Sequence, residues 1–227
     1  HDDGSFTLLQ KTDDKSDTLY ASNADGSVDK STSVTVQKEN AGDSSVIGDL
    51  ATNVTPSSND KFSKGIRSAS TSNASDAFGV YTFVAKNSNV EWGMAGFNTG
   101  DGTNFSLFTG HNKSFTPFVG DVLGNNFKNL LFDIHSHKNR NSPSEDGYHR
   151  GDYDSDASKN RAYAKARGKD NLADGEYPPA YLLHAPNKGN MTLWKYGGIS
   201  KGDKVGIYSR NLGTVTQGSM SVETLNR

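Results

Sequence analysis

Residues 128–164 read KNLLFDIHSHKNRNSPSEDGYHRGDYDSDASKNRAYA. The opening NLLFDI is an apolar run that ends in polar residues, the look of a strand buried on both faces. A long polar stretch follows, and then SDASKNRAYAKARGKDN (155–171) reads as a helix. Ala157, Ala162, Ala164 and Ala166 give it high propensity, and Asp and Ser residues open it as caps. Upstream, FGVYTFVAKN (78–87), VEWGMAGF (starting at Val90) and TNFSLFTGH (starting at Thr103) read as strands separated by Asn/Gly turns. Downstream, AYLLHAP (180–186) and NMTLWKYGG (190–198) form two strands joined by a Pro-Asn-Lys-Gly turn. Strands, a long loop, a helix and a hairpin predict an α+β domain over 77–198, built on one mixed sheet.

The flanks are looser. In residues 1–40, SFTLLQ, TLYAS and STSVTVQK are strand-like runs between turn clusters, and Asp25-Gly26 is a hairpin signal. They predict a small β appendage connecting to a larger polypeptide, in keeping with a first residue that is His rather than Met. Residues 41–76 are rich in Ser, Asn and Thr and read as loop with one short helix. Residues 199–227 form a tail with weak strand patterning. No signal peptide is visible.

Composition narrows the chemistry. Only 32% of residues are hydrophobic and mean hydropathy is −0.72, so the core is small relative to the loops. No apolar run approaches the roughly 20 residues a membrane-crossing helix needs. A formal net charge of −2 without a basic stripe argues against nucleic acid as the main partner. The chain has no cysteine, so any metal must be held by histidine and carboxylate.

Side chains two apart in an extended chain point the same way, so His135 and His137 present two imidazoles where the strand ends. Zinc takes imidazole nitrogen at about 2.0–2.1 Å and, in catalytic sites, three protein ligands plus water. Glu145, Asp146, Asp152, Asp154 and Asp156 are the downstream carboxylates from which a third ligand would come. By itself His-x-His is equally what a solvated strand end can carry.

An apolar strand, then HSH, then Pro-Ser and an Asp ahead of a helix resembles the JAB/MPN (JAMM) metallopeptidase family. The EDGYHRGD insertion resembles its subgroup of JAB-like toxin domains at the C-termini of bacterial Rhs and other polymorphic toxins. The resemblance implies a JAB/MPN-like mixed β-sheet flanked by helices and a Zn²⁺ ion held by His135, His137 and Asp152. Asp146 is the second choice for the third ligand and Asp154 the third. It further implies Glu91, in the VEW segment, as general base and Ser144 as oxyanion donor. Lys138 stands where the family usually has Pro, and the Ser-x-x-Asp spacing is broken. The activity implied is hydrolysis of an amide bond in a protein or peptide substrate. DGSFTLLQKTDDKSDTLY resembles the linker before toxin domains in Rhs-type proteins. That implies secretion as part of a larger protein, action in the target-cell cytoplasm and a cognate immunity protein, with no nucleic acid or membrane insertion.

Two other readings compete: another His-x-His metal hydrolase, and a non-catalytic MPN-like binding or adaptor module. Of the remaining candidates, Ser136 reads as support for its loop, and His149 as a loop residue. His184 reads as a strand histidine, and His111 as a residue of an extended segment near the site.

Overall fold

In a computed structural model of the chain, the described residues are 1–10, 14–143, 151–173, 175–201 and 204–226, with only the backbone described at 198–201 and 204–207. The fold is α+β, as the sequence predicts. A two-stranded antiparallel ribbon, β1 (Ser16–Ser22) and β2 (Val28–Gln37), precedes an eight-stranded mixed sheet. The sheet strands are β3 (Val54–Thr55), β4 (Ile66–Thr71), β5 (Gly93–Thr99), β6 (Gly102–Thr109), β7 (Leu130–His137), β8 (Ala180–His184), β9 (Met191–Lys201) and β10 (Lys204–Val215). Their order is β10-β9-β8-β7-β5-β6-β4-β3. Among these pairings β7 with β8 alone is parallel. The crossover between these two is α4 (Gly151–Ala166), since parallel strands need a long connection. The other helices are α1 (Val46–Thr52), α2 (Ala74–Asn87), α3 (Val119–Leu123) and α5 (Val222–Leu225).

The segment FGVYTFVAKN, expected as a strand, lies within helix α2 instead. Asn73 caps it through Asp76 N–H at 3.2 Å. α2 lies between the large sheet and strand β2, whose Val36 belongs to the same core cluster as Phe78, Val80, Tyr81 and Phe83. A helix covered on two sides is apolar nearly all round and loses its 3.6-residue signature, which is why it mimics a buried strand. Strand β4, within the stretch expected as loop, is hidden by its Ser-rich sequence, IRSAST. SFTLLQ forms no strand; Phe6 packs edge-to-face on Trp92 at 6.2 Å, while Leu8 and Leu9 are exposed.

Strand β7 divides the core. Phe132 and Ile134 point into the cluster under α2, whereas Asp133, His135 and His137 point to the face that carries α4. Two glycines let the neighbouring strands close up. A Cβ on Gly93 would meet the Phe108 ring at 2.2 Å, and one on Gly96 the Phe132 ring at 2.4 Å. Gly93 pairs with His135, so this close approach lies next to the polar face of β7.

Candidate metal centre

His135 and His137 occupy the C-terminal end of β7, and their Nε2 atoms lie 3.2 Å apart. Asp152 comes from the first turn of α4. Its Oδ1 is 3.2 Å from His135 Nε2 and 3.7 Å from His137 Nε2. Gly151 opens the helix at φ 44°, a conformation that a side chain disfavours and that brings the chain sharply into α4 just ahead of Asp152. Glu91 lies just before β5 and completes the cluster, with Oε1 3.4 Å from His137 Nε2.

The backbone around Glu91 is fixed from three directions. Its N–H donates to Asn112 O at 2.8 Å, and its carbonyl accepts from Thr109 Oγ1 at 2.7 Å. The next N–H, that of Trp92, donates to Ser136 Oγ at 3.0 Å. Ser136 N–H returns a bond to Trp92 O at 2.9 Å. Ser136, between the two histidines but on the opposite face, thus ties the Glu91 segment to the strand that carries them. Trp92 is further anchored by its indole N–H on Ser88 Oγ at 2.9 Å.

The donor set suits a small divalent ion. Bonds of about 2.0–2.1 Å at tetrahedral angles put donor atoms ~3.3 Å from one another. The observed separations of 3.2, 3.2 and 3.7 Å match that edge closely. Both histidines turn Nε2 toward the common point. His135 Nδ1 lies 3.3 Å from the Tyr196 hydroxyl, which stacks edge-on against the ring. His137 Nδ1 is buried without a hydrogen-bond partner among the described residues.

The electrostatics fit a site built to be neutralised by a cation. Burial pushes the Glu91 carboxyl up to about 8; His135 pulls it down and Asp152 pushes it up. His135 is raised to about 9: burial works against its charged form, but the charge and hydrogen bond of Asp152, with Glu91 and Asp133 behind them, prevail. Burial and the neighbouring His135 hold His137 down at about 4. At neutral pH the site without metal therefore keeps protons on both His135 and Glu91, and a divalent ion would displace the one on His135.

Other predicted residues lie elsewhere. Asp154 is two residues, roughly 200°, further round α4 than Asp152 and is not part of the His135–His137–Asp152 group. His111 has φ 57° and bonds the Asp3 carbonyl through Nδ1 at 2.7 Å. His184 is the register partner of His137 on β8. Ser144, Asp146, Glu145 and His149 fall outside the described residues.

Sequence reading missed Tyr196, Asp133 and Lys159; Asp156, one of the carboxylates considered for the third ligand, instead joins Asp133 and Lys159 in a buried ion triad behind the site. Asp133 could have been found as the residue two before His135 on the same face. The Tyr196 contact depends on β9 joining the sheet beyond β8, which no local pattern announces.

Residues 69–163, less than half of the chain, match the family model described as JAB-like toxin 1. The resemblance to JAB-like toxin domains holds over that span, which contains Glu91, His135, His137 and Asp152. No curated protein and no solved structure matches the chain.

Proposed function

We propose that the chain is a zinc-dependent, JAMM-like peptidase or isopeptidase acting as the effector domain of a secreted bacterial polymorphic toxin. The observation that carries this reading is the convergence of two imidazoles, one helix-borne carboxylate and one buried glutamate on a single point, within a span that matches a JAB-like toxin family.

When bound, zinc would supply a Lewis acid that brings the pKa of a water down toward neutrality. His135, His137 and Asp152 would hold the ion. Glu91, facing the same point, takes a proton from the attacking water and passes it to the leaving amine. Burial pushes its carboxyl up to about 8, and a cation held beside it would favour the carboxylate form that a base requires. Ser136 and Thr109 keep Glu91 aligned, and the adjoining Trp92 is fully buried. Ser144 is the proposed oxyanion donor. The substrate is a target-cell protein, reached in the cytoplasm after export as part of a larger polypeptide, and a cognate immunity protein is the expected partner.

Expression of wild type beside Glu91→Gln inside bacteria, followed by mapping of new protein termini and of released isopeptide-linked lysines, tests the reading. Growth arrest with new cleavage products in the wild type alone supports it. Equal toxicity of both forms, or arrest without any cleaved amide, contradicts it.

A further inference from the structure

Behind the His–His–Asp group lies a second polar cluster with no part in the chemistry above. Lys159 on α4 is 3% exposed, and its ammonium lies 2.5 Å from Asp133 Oδ1 and 2.6 Å from Asp156 Oδ1. A further contact of 3.2 Å reaches the Pro178 carbonyl, just ahead of β8. An ammonium has three protons, and three oxygens surround it.

We propose that Lys159 is a positioning residue for the metal centre. By joining Asp133 of β7 to Asp156 of α4, it fixes the register of the helix so that Asp152 meets His135 and His137. The inference rests on reading those three residues as metal ligands.

The geometry supplies the reason. Asp133 lies two residues before His135 on the same face of β7. Asp152, Asp156 and Lys159 are spaced i, i+4, i+7 and share one stripe of α4. Strand and helix thus meet twice, at the metal ligands and at the triad two turns away. A metal site tolerates only about ±0.2 Å in bond length, whereas a one-residue slip of α4 moves Asp152 by 1.5 Å and 100°. Tyr153 and Tyr163 pack apolar surface near the two ends of α4, but between them the buried positions are Asp156, Ala157, Lys159 and Asn160, where apolar packing alone defines the register weakly. A directional ionic contact specifies what small apolar side chains leave open.

The test measures zinc dissociation constants of the purified full chain by chelator competition, with visible spectra of the cobalt(II)-loaded protein and thermal unfolding alongside. Lys159→Met removes the ammonium and keeps the volume. It is expected to weaken zinc by about 10–100-fold, the range for supporting residues around metal ligands, and to alter the cobalt spectrum. Lys159→Arg should recover part of the affinity. Leu107→Ala, in β6 away from both clusters, destabilises the core and should leave zinc affinity within about twofold. If folded Lys159→Met binds zinc as tightly as wild type with an unchanged cobalt spectrum, the proposal is overturned. Should Lys159→Met fail to fold, Asp133→Asn decides: several-fold weaker binding upholds the proposal, and wild-type affinity overturns it. His135→Ala separates the two levels. Zinc binding that survives His135→Ala removes the metal reading itself, whereas loss in His135→Ala with full retention in Lys159→Met removes the positioning role alone.

Discussion

Ser136 and Trp92 exchange two hydrogen bonds, Ser136 N–H to Trp92 O at 2.9 Å and Trp92 N–H to Ser136 Oγ at 3.0 Å. Through that pair the strand carrying both histidines sets the position of the segment carrying Glu91. Replacing Ser136 by Ala leaves a buried Trp92 N–H without its acceptor, which costs about 1–3 kcal/mol. Chemical denaturation should show that loss. Zinc binding should persist while hydrolysis slows, because Glu91 rather than the ligand set loses its support.

Removal of a ligand acts differently. His135→Ala and His137→Ala each leave two of three protein donors. Supporting residues around a metal are worth about 10–100-fold in affinity, and loss of a ligand should exceed that range. Competition with a chromogenic chelator measures it. Asp152→Asn retains a weaker oxygen donor and should fall between wild type and the histidine variants.

Glu91→Gln should keep fold and metal and lose activity. The glutamine mimics the protonated form that burial favours, so melting temperature should stay level or rise in the metal-free protein. Loss of a general base costs about 10²–10⁴ in rate. Turnover of a cleavable peptide or isopeptide, once identified, measures that factor, and survival of expressing cells reports it sooner.

The pH dependence of the metal-free protein follows from the directions of three shifts. Glu91 is raised from 4.5 to about 8 and His135 from 6.5 to about 9. The folded state therefore binds more protons than the unfolded one between those values, and stability falls as pH rises through 6.5–8. His137 is lowered from 6.5 to about 4, so its contribution is lost as pH falls across 6.5–4. Between pH 4.5 and 6.5 the Glu91 and His137 contributions oppose and cancel, so the stability these groups give the metal-free chain should be level there and fall steeply above pH 6.5. Zinc reverses the alkaline limb, because it binds deprotonated ligands and releases protons. Thermal melts across pH, with and without zinc, check both signs.

Gly93→Ala tests how tightly the sheet closes beside His135. The new methyl would meet the Phe108 ring at 2.2 Å, and overpacking of this kind costs about 1–3 kcal/mol. The melting temperature should fall. Zinc affinity should fall with it, since Gly93 is the strand partner of His135.

Much of this arrangement was legible in the sequence where one local pattern decides. NLLFDIHSH reads as a strand with two imidazoles on one side, and SDASKNRAYAKARGKDN as a helix, although the observed helix starts four residues earlier, at Gly151, and so takes Asp152 into its first turn. The α+β class followed from their order. Helix α2 escaped because burial on two sides erased its amphipathic signature, and β4 because its serines look like loop. Glu91 came from the resemblance of its VEW segment to that of JAB-like toxin domains. Tyr196 and Lys159 were beyond reach: each acts across β7–α4–β8–β9, and their meaning depends on which strands become neighbours. The second-choice ligand Asp146 and the proposed oxyanion donor Ser144 fall outside the described residues.

X-ray absorption at the zinc edge of the purified, zinc-loaded chain tests most directly whether His135, His137 and Asp152 share one ion. One zinc per chain, four-coordinate at about 2.0–2.1 Å with scattering from two imidazoles, is the predicted result. A chain that retains no stoichiometric zinc, or a spectrum with fewer than two imidazoles, would contradict it.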